Sequence, residues 1–82
     1  MKYQVGCLTV EAIDTYVRVS VSNIGGVDAP TKVAVTKRQL PSAREVAQLV
    51  QDIRGYWPDS AALIACGRAA DDAKNNKIEL AL

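Results

Sequence analysis

Residues 42–58 read Ser-Ala-Arg-Glu-Val-Ala-Gln-Leu-Val-Gln-Asp-Ile-Arg-Gly-Tyr-Trp-Pro, and the stretch carries both ends and one face of a helix. Ser42 stands where a helix cap belongs and Glu45 three residues on, the spacing at which each side chain satisfies an exposed backbone N–H of the first turn. Val46, Leu49, Val50, Ile53 and Trp57 recur along one side, whereas Arg44, Gln48, Gln51 and Asp52 occupy the other. Pro41 disfavours helical geometry at Leu40. Gly55 weakens the last turn and Pro58 ends the run. The pattern predicts a helix over 42–56 with its apolar face against a core.

Upstream, the periodicity changes from that of a helix to that of strands. Residues 15–22 alternate cleanly, placing Val17, Val19 and Val21 on one face and Tyr16, Arg18, Ser20 and Ser22 on the other. Residues 2–10 read as one strand with apolar side chains on both faces, the mark of a central strand, and a turn through Asp14 follows. A loop punctuated by Asn23, Gly25, Gly26, Asp28 and Pro30 leads into a third strand over 31–37, with Val33 and Val35 inward and Lys32 and Thr36 outward. An antiparallel three-stranded sheet is the economical arrangement of these pieces.

Downstream, residues 60–74 read as a second helix or a short strand. Capped by Asp59 or Ser60, a helix would gather Ala62, Cys66, Ala69 and Ala73 on one small-residue face, while Gly67 and the run Ala-Leu-Ile-Ala-Cys argue for strand. Asn75 and Asn76 suggest a turn before a C-terminal strand over 77–82, in which Ile78, Leu80 and Leu82 alternate with Lys77, Glu79 and Ala81. The fold expected is therefore α+β: three antiparallel strands, an amphipathic helix, a second helix or short strand, and a last strand. At 82 residues it forms one domain.

Composition narrows the class without naming a chemistry. An apolar fraction of 49% supports a folded core, and with no Phe that core rests on Val, Leu, Ile and Ala, helped by Tyr3, Tyr16, Tyr56 and Trp57. No run is long and apolar enough to cross a bilayer, and no export leader is apparent, so a cytoplasmic, membrane-free protein is expected, with Cys7 and Cys66 reduced and buried.

The chain contains no His. Triads built on an imidazole are thereby excluded, and a zinc site would need to join two distant cysteines to carboxylates. The spacings of GxxxxGK[ST] and GxGxxG are missing, so no cofactor is expected, nor a metal. Asp71 and Asp72 are adjacent and diverge by about 100° on a helix. They read as a solvated face, with Asp71 paired to Lys74.

What remains is binding. Residues 1–44 carry six Lys or Arg against three acids, and residues 45–82 carry four against six. Such polarity orients an encounter with a charged protein or with a second copy of the chain. A non-enzymatic protein-binding module, an adaptor, inhibitor or assembly subunit compatible with a homodimer, is expected to use Tyr56, Trp57, Tyr16 and Arg18. Its partner is unidentified. The alternative is weak, electrostatic nucleic-acid binding through a ridge of Arg18, Lys32, Lys37, Arg38 and Arg44. The GxxG loop and paired sheet aromatics of common RNA-binding domains are absent, which makes this the second choice.

Overall fold

The computed structural model describes residues 1–22 and 30–80. Four strands, β1 (Lys2–Val5), β2 (Leu8–Ile13), β3 (Tyr16–Val21) and β4 (Lys32–Val35), are followed by helices α1 (Ala43–Arg54) and α2 (Ser60–Leu80). Each strand pairs antiparallel with the next in the order β1-β2-β3-β4. The architecture is α+β as expected, with four strands in place of three. The Asn and Gly positions of the expected loop after β3 lie outside the described residues.

The extra strand comes from a turn at Gly6 and Cys7. Gly6 adopts φ +60°, which glycine reaches without the steric cost of a side chain, and Val5 then pairs directly with Leu8. The expected strand over 2–10 is thus the arm of one hairpin and part of another. Tyr3 and Val5 share the inner face with Leu8 and Val10 because two turn residues interrupt the alternation. β1 is an edge, not a central strand. The turn at Asp14, which has φ +54°, falls where expected.

Strand β4 corrects the expected faces. Val33 and Val35 are 58% and 47% exposed, whereas Thr36 is buried. Val19 pairs with Ala34, and Val19 is in the core, so Ala34 and Thr36 occupy the inner row. A shift of one residue reverses every side chain in a strand, and polar anchoring decides this one. Thr36 Oγ1 accepts from Val17 N at 3.1 Å while Thr36 N donates to Val17 O at 2.9 Å. The connection to α1 stays fastened to the β2–β3 turn: Thr15 Oγ1 donates to Gln39 Oε1 at 3.2 Å, and Leu40 N donates to Thr15 O at 2.8 Å. These bonds hold Leu40 at φ +53°, before the fully buried Pro41.

Helix α1 starts as its sequence predicts. Glu45 N donates to Ser42 Oγ at 3.2 Å and the Glu45 carboxylate reaches back to Ser42 N, completing the capping box. The helix ends at Arg54, earlier than the expected 56, because Gly55 takes a left-handed cap at φ +95° with its N–H on Gln51 O. Val46, Ala47 and Val50 are buried, and Leu49 and Ile53 pack at the margin. Trp57 lies beyond the helix and is 42% exposed, so it does not extend the core face.

The ambiguous segment is one 21-residue helix. Asp59 Oδ1 accepts from Ala62 N at 3.0 Å and caps it. Ala62, Cys66, Ala69 and Ala73 line the buried face, joined by Ala65 and Ala70. Helix α2 runs through Asn75 and Asn76, replacing the expected turn, and continues through residues 77–80, where a strand was expected; the last two residues of that strand lie outside the described residues. Asn76 Nδ2 donates to Asp14 O at 2.8 Å, fastening the helix to the β2–β3 turn and favouring its continuation. Both helices pack on one side of the sheet, enclosing a core with the inner rows of β2 and β3.

Two substitutions test this packing. A Cβ on Gly67 would meet Ala43 Cβ at 4.0 Å, an ordinary contact, so Gly67→Ala should raise stability by about 0.5–1 kcal/mol through helix propensity. Val50→Ala should cost about 2 kcal/mol and half-buried Ile53→Ala less. Urea unfolding of each variant gives both signs, and an unchanged midpoint for Val50→Ala contradicts the core assignment.

Candidate functional site

The face of the sheet turned away from the helices carries Lys2 and Gln4 of β1, Thr9, Glu11 and Ile13 of β2, Tyr16, Arg18 and Ser20 of β3, and Val33 and Val35 of β4. The register sets Ile13 beside Tyr16, Arg18 beside Val35 and Ser20 beside Val33. Tyr16 and Val35 are diagonal neighbours, within reach of an aromatic ring. Ile13, Tyr16, Val35 and Val33 therefore form an apolar band across three strands, next to a polar half contributed by β1 and β2. Ile13 is 41% exposed, and the valines more so.

Within this face Arg18 donates to Glu11 across the β2–β3 pair. The Glu11 side chain is only 12% exposed. Arg18 thus holds a largely desolvated carboxylate in place, and removing it would leave that charge unpaired. Its Nε is buried and makes no hydrogen bond among the described residues.

The four expected protein-contact residues fall in two places. Tyr16 and Arg18 are on the open face. Tyr56 and Trp57, both exposed, follow α1, and Tyr56 lines a cleft of about 460 Å³ with Val5, Leu8, Val21, Ser22 and Arg54. The Arg54 guanidinium lies 4.1 Å from the centre of the Tyr56 ring. Val21 and Tyr16 are opposite ends of β3, about 17 Å apart along the strand, so the two pairs do not form one surface. Sequence reasoning missed Ile13, Val33, Val35 and Arg54. The alternation of Val33 and Val35 was visible, but its direction depended on the register.

The expected cationic ridge is divided as well. Arg18 points to the open face and Lys32 belongs to the inner row, on opposite sides of the sheet. Arg38 Nε donates to Glu45 Oε2 at 2.8 Å, with a second bond from Arg38 Nη2, and the contact lowers the Glu45 carboxyl below its ordinary value. Lys37 lies in the β4–α1 connection, and Arg44 is exposed on α1. Two of the five cations are thus committed to carboxylates.

The cysteines differ from the expected buried pair: Cys7 is exposed in the β1–β2 turn, while Cys66 is fully buried. Burial pushes the Cys66 thiol from 9.0 up to about 11, against the nearby charge of Arg54. Among the described residues, no three His, Cys, Asp or Glu side chains gather as a metal site, and no helix is long and apolar enough to cross a membrane.

Because only the neutral Cys66 thiol suits the folded state, its contribution to stability is complete below its ordinary value and lost as pH rises toward about 11. At pH 8 the native protein should resist alkylation at Cys66, and urea should expose the residue to reaction. Peptide mapping after iodoacetamide treatment reads this directly; rapid labelling of Cys66 without denaturant contradicts its burial.

Comparison of the chain with protein-family models, curated proteins and solved structures finds no match.

Proposed function

We propose that this chain is a non-enzymatic protein-binding module that engages its partner through the open face of the sheet. The observation that carries the reading is the apolar band of Ile13, Tyr16, Val33 and Val35, assembled from three strands on the side away from both helices. A contiguous apolar area beside polar residues has the composition of a recognition surface, in which apolar and aromatic groups anchor and the polar margin selects. Valines on a rigid sheet lose little side-chain freedom on contact, so ordering costs are small.

Arg18 and Glu11 add a charge pair at the margin of the band and give the partner a polar feature to match. Tyr56 and Trp57 form a separate exposed element at the far end, available to a second contact. The nucleic-acid alternative has less support, because Arg18 and Arg38 are already held by Glu11 and Glu45 and the remaining cations occupy different elements.

The test compares wild type, Val33→Lys/Val35→Lys and Trp57→Ala in affinity capture from nuclease-treated lysate, followed by titration of the purified partner. Wild type and Trp57→Ala should retain one stoichiometric protein that the double variant loses, with its far-UV spectrum and urea midpoint unchanged. Capture that survives the double substitution, or disappears with nuclease, removes this reading.

A further inference from the structure

The geometry points to a homodimer in which β1 pairs antiparallel with β1 of a second copy, joining two sheets into one of eight strands and laying the two α2 helices side by side. Among the described residues β1 pairs only with β2, so its outer backbone groups are open to a further strand. An antiparallel strand is complementary to itself about a two-fold axis, which makes a second copy the natural occupant of this edge.

The helix above that edge fits the same operation. Helix α2 packs on β1 and β2, and Tyr3 joins it to the edge strand: the Tyr3 hydroxyl donates to Asp72 Oδ2 at 2.7 Å, and Arg68 lies 6.0 Å from the centre of its ring. With strands about 4.8 Å apart, a helix between β1 and β2 stands about 10 Å from its two-fold copy, a separation at which helices pack directly. The edge groove between β1 and α2, lined in part by Val5, Ala61, Ile64 and Arg68, is the space such a copy would fill.

The side chains along α2 are suited to that neighbour. Ile64 is 58% exposed beside small Ala61; Arg68 follows one turn later and Asp71 about two turns later, with opposite charges and neither of them ion-paired among the described residues. Antiparallel helices bring Arg68 of each copy against Asp71 of the other, giving two identical pairs about the axis. The opposite edge differs: among the described residues, the groove beside β4 and α1 is lined mainly by the charged and polar Lys37, Arg38, Glu45, Gln48 and Asp52, with Thr36 and Leu49. This interface leaves the open face of the sheet free and doubles it.

Sedimentation equilibrium of the full chain, from about 1 µM to about 1 mM, measures the association constant. Wild type should sediment at twice its 8.8 kDa chain mass. Ile64→Glu should be monomeric, and Arg68→Asp and Asp71→Arg should each weaken dimerisation at least about tenfold, with the double swap Arg68→Asp/Asp71→Arg restoring it to within about threefold. Circular dichroism confirms that each variant is folded, and the recovery in the double swap separates pairing from damage. A monomeric wild type, a dimer indifferent to Ile64→Glu, or a double swap without recovery overturns the proposal. Val33→Lys/Val35→Lys should leave the dimer intact; its loss there would overturn this interface and place self-association on the open face instead.

Discussion

The structure depends on the close seating of one alanine-rich helix on a valine-rich sheet. Ala62, Ala65, Cys66, Ala69, Ala70 and Ala73 form the buried face of α2, opposite the inner rows that hold Leu8, Val10, Val17, Val19 and Val21. Small side chains let the helix backbone approach the sheet, and branched ones fill the remaining space at the density interiors require. The chain thereby makes a core without a single phenylalanine. It also leaves no room for larger apolar residues of α2: among the described side chains, Leu63, Ile64 and Ile78 face outward.

The same economy divides the sheet. Two helices cover one face of the four strands, and among the described residues no helix or strand packs on the other. In such a sheet the alternation that packs the core also decides what the outside presents, so each inward residue commits its neighbours. Val17 and Val19 going in sends Arg18 out, where it meets Glu11; Ala34 and Thr36 going in sends Val33 and Val35 out. The apolar band is thus a consequence of packing on the opposite face. As the proposed contact surface, the band is held in place by the core beneath the strands that carry it.

Legibility in the sequence followed the range of the interactions. The start of α1 is readable because Ser42 and Glu45 bond within one turn, whereas the small-residue face of α2 is readable only if residues 60–74 are taken as helix, which Gly67 and the run Ala-Leu-Ile-Ala-Cys leave open. Gly6 was harder: one glycine without a neighbouring Asn or Asp gives little sign of a turn, yet it separates two strands. The last strand is misread because the alternation of Ile78 and Leu80 is the repeat of a strand, while the bond from Asn76 to Asp14 that fastens the continuing helix spans most of the chain. For the candidate site, Tyr16 and Arg18 were readable from strand alternation; Val33 and Val35 were not.

By itself the sequence determined the α+β class, the cap and inner face of α1 and the alternation of β3, all settled by contacts within a turn or by the two-residue repeat of a strand, and it left residues 60–74 open between helix and strand. Only the tertiary structure decided that β1 is an edge, which face of β4 is covered, that residues 60–80 form one helix, and that Tyr16 and Tyr56 lie near opposite ends of β3. The first rests on the Gly6 turn; the face of β4 rests on bonds between distant residues, Thr36 to Val17 and Leu40 to Thr15, whose partners no local pattern specifies.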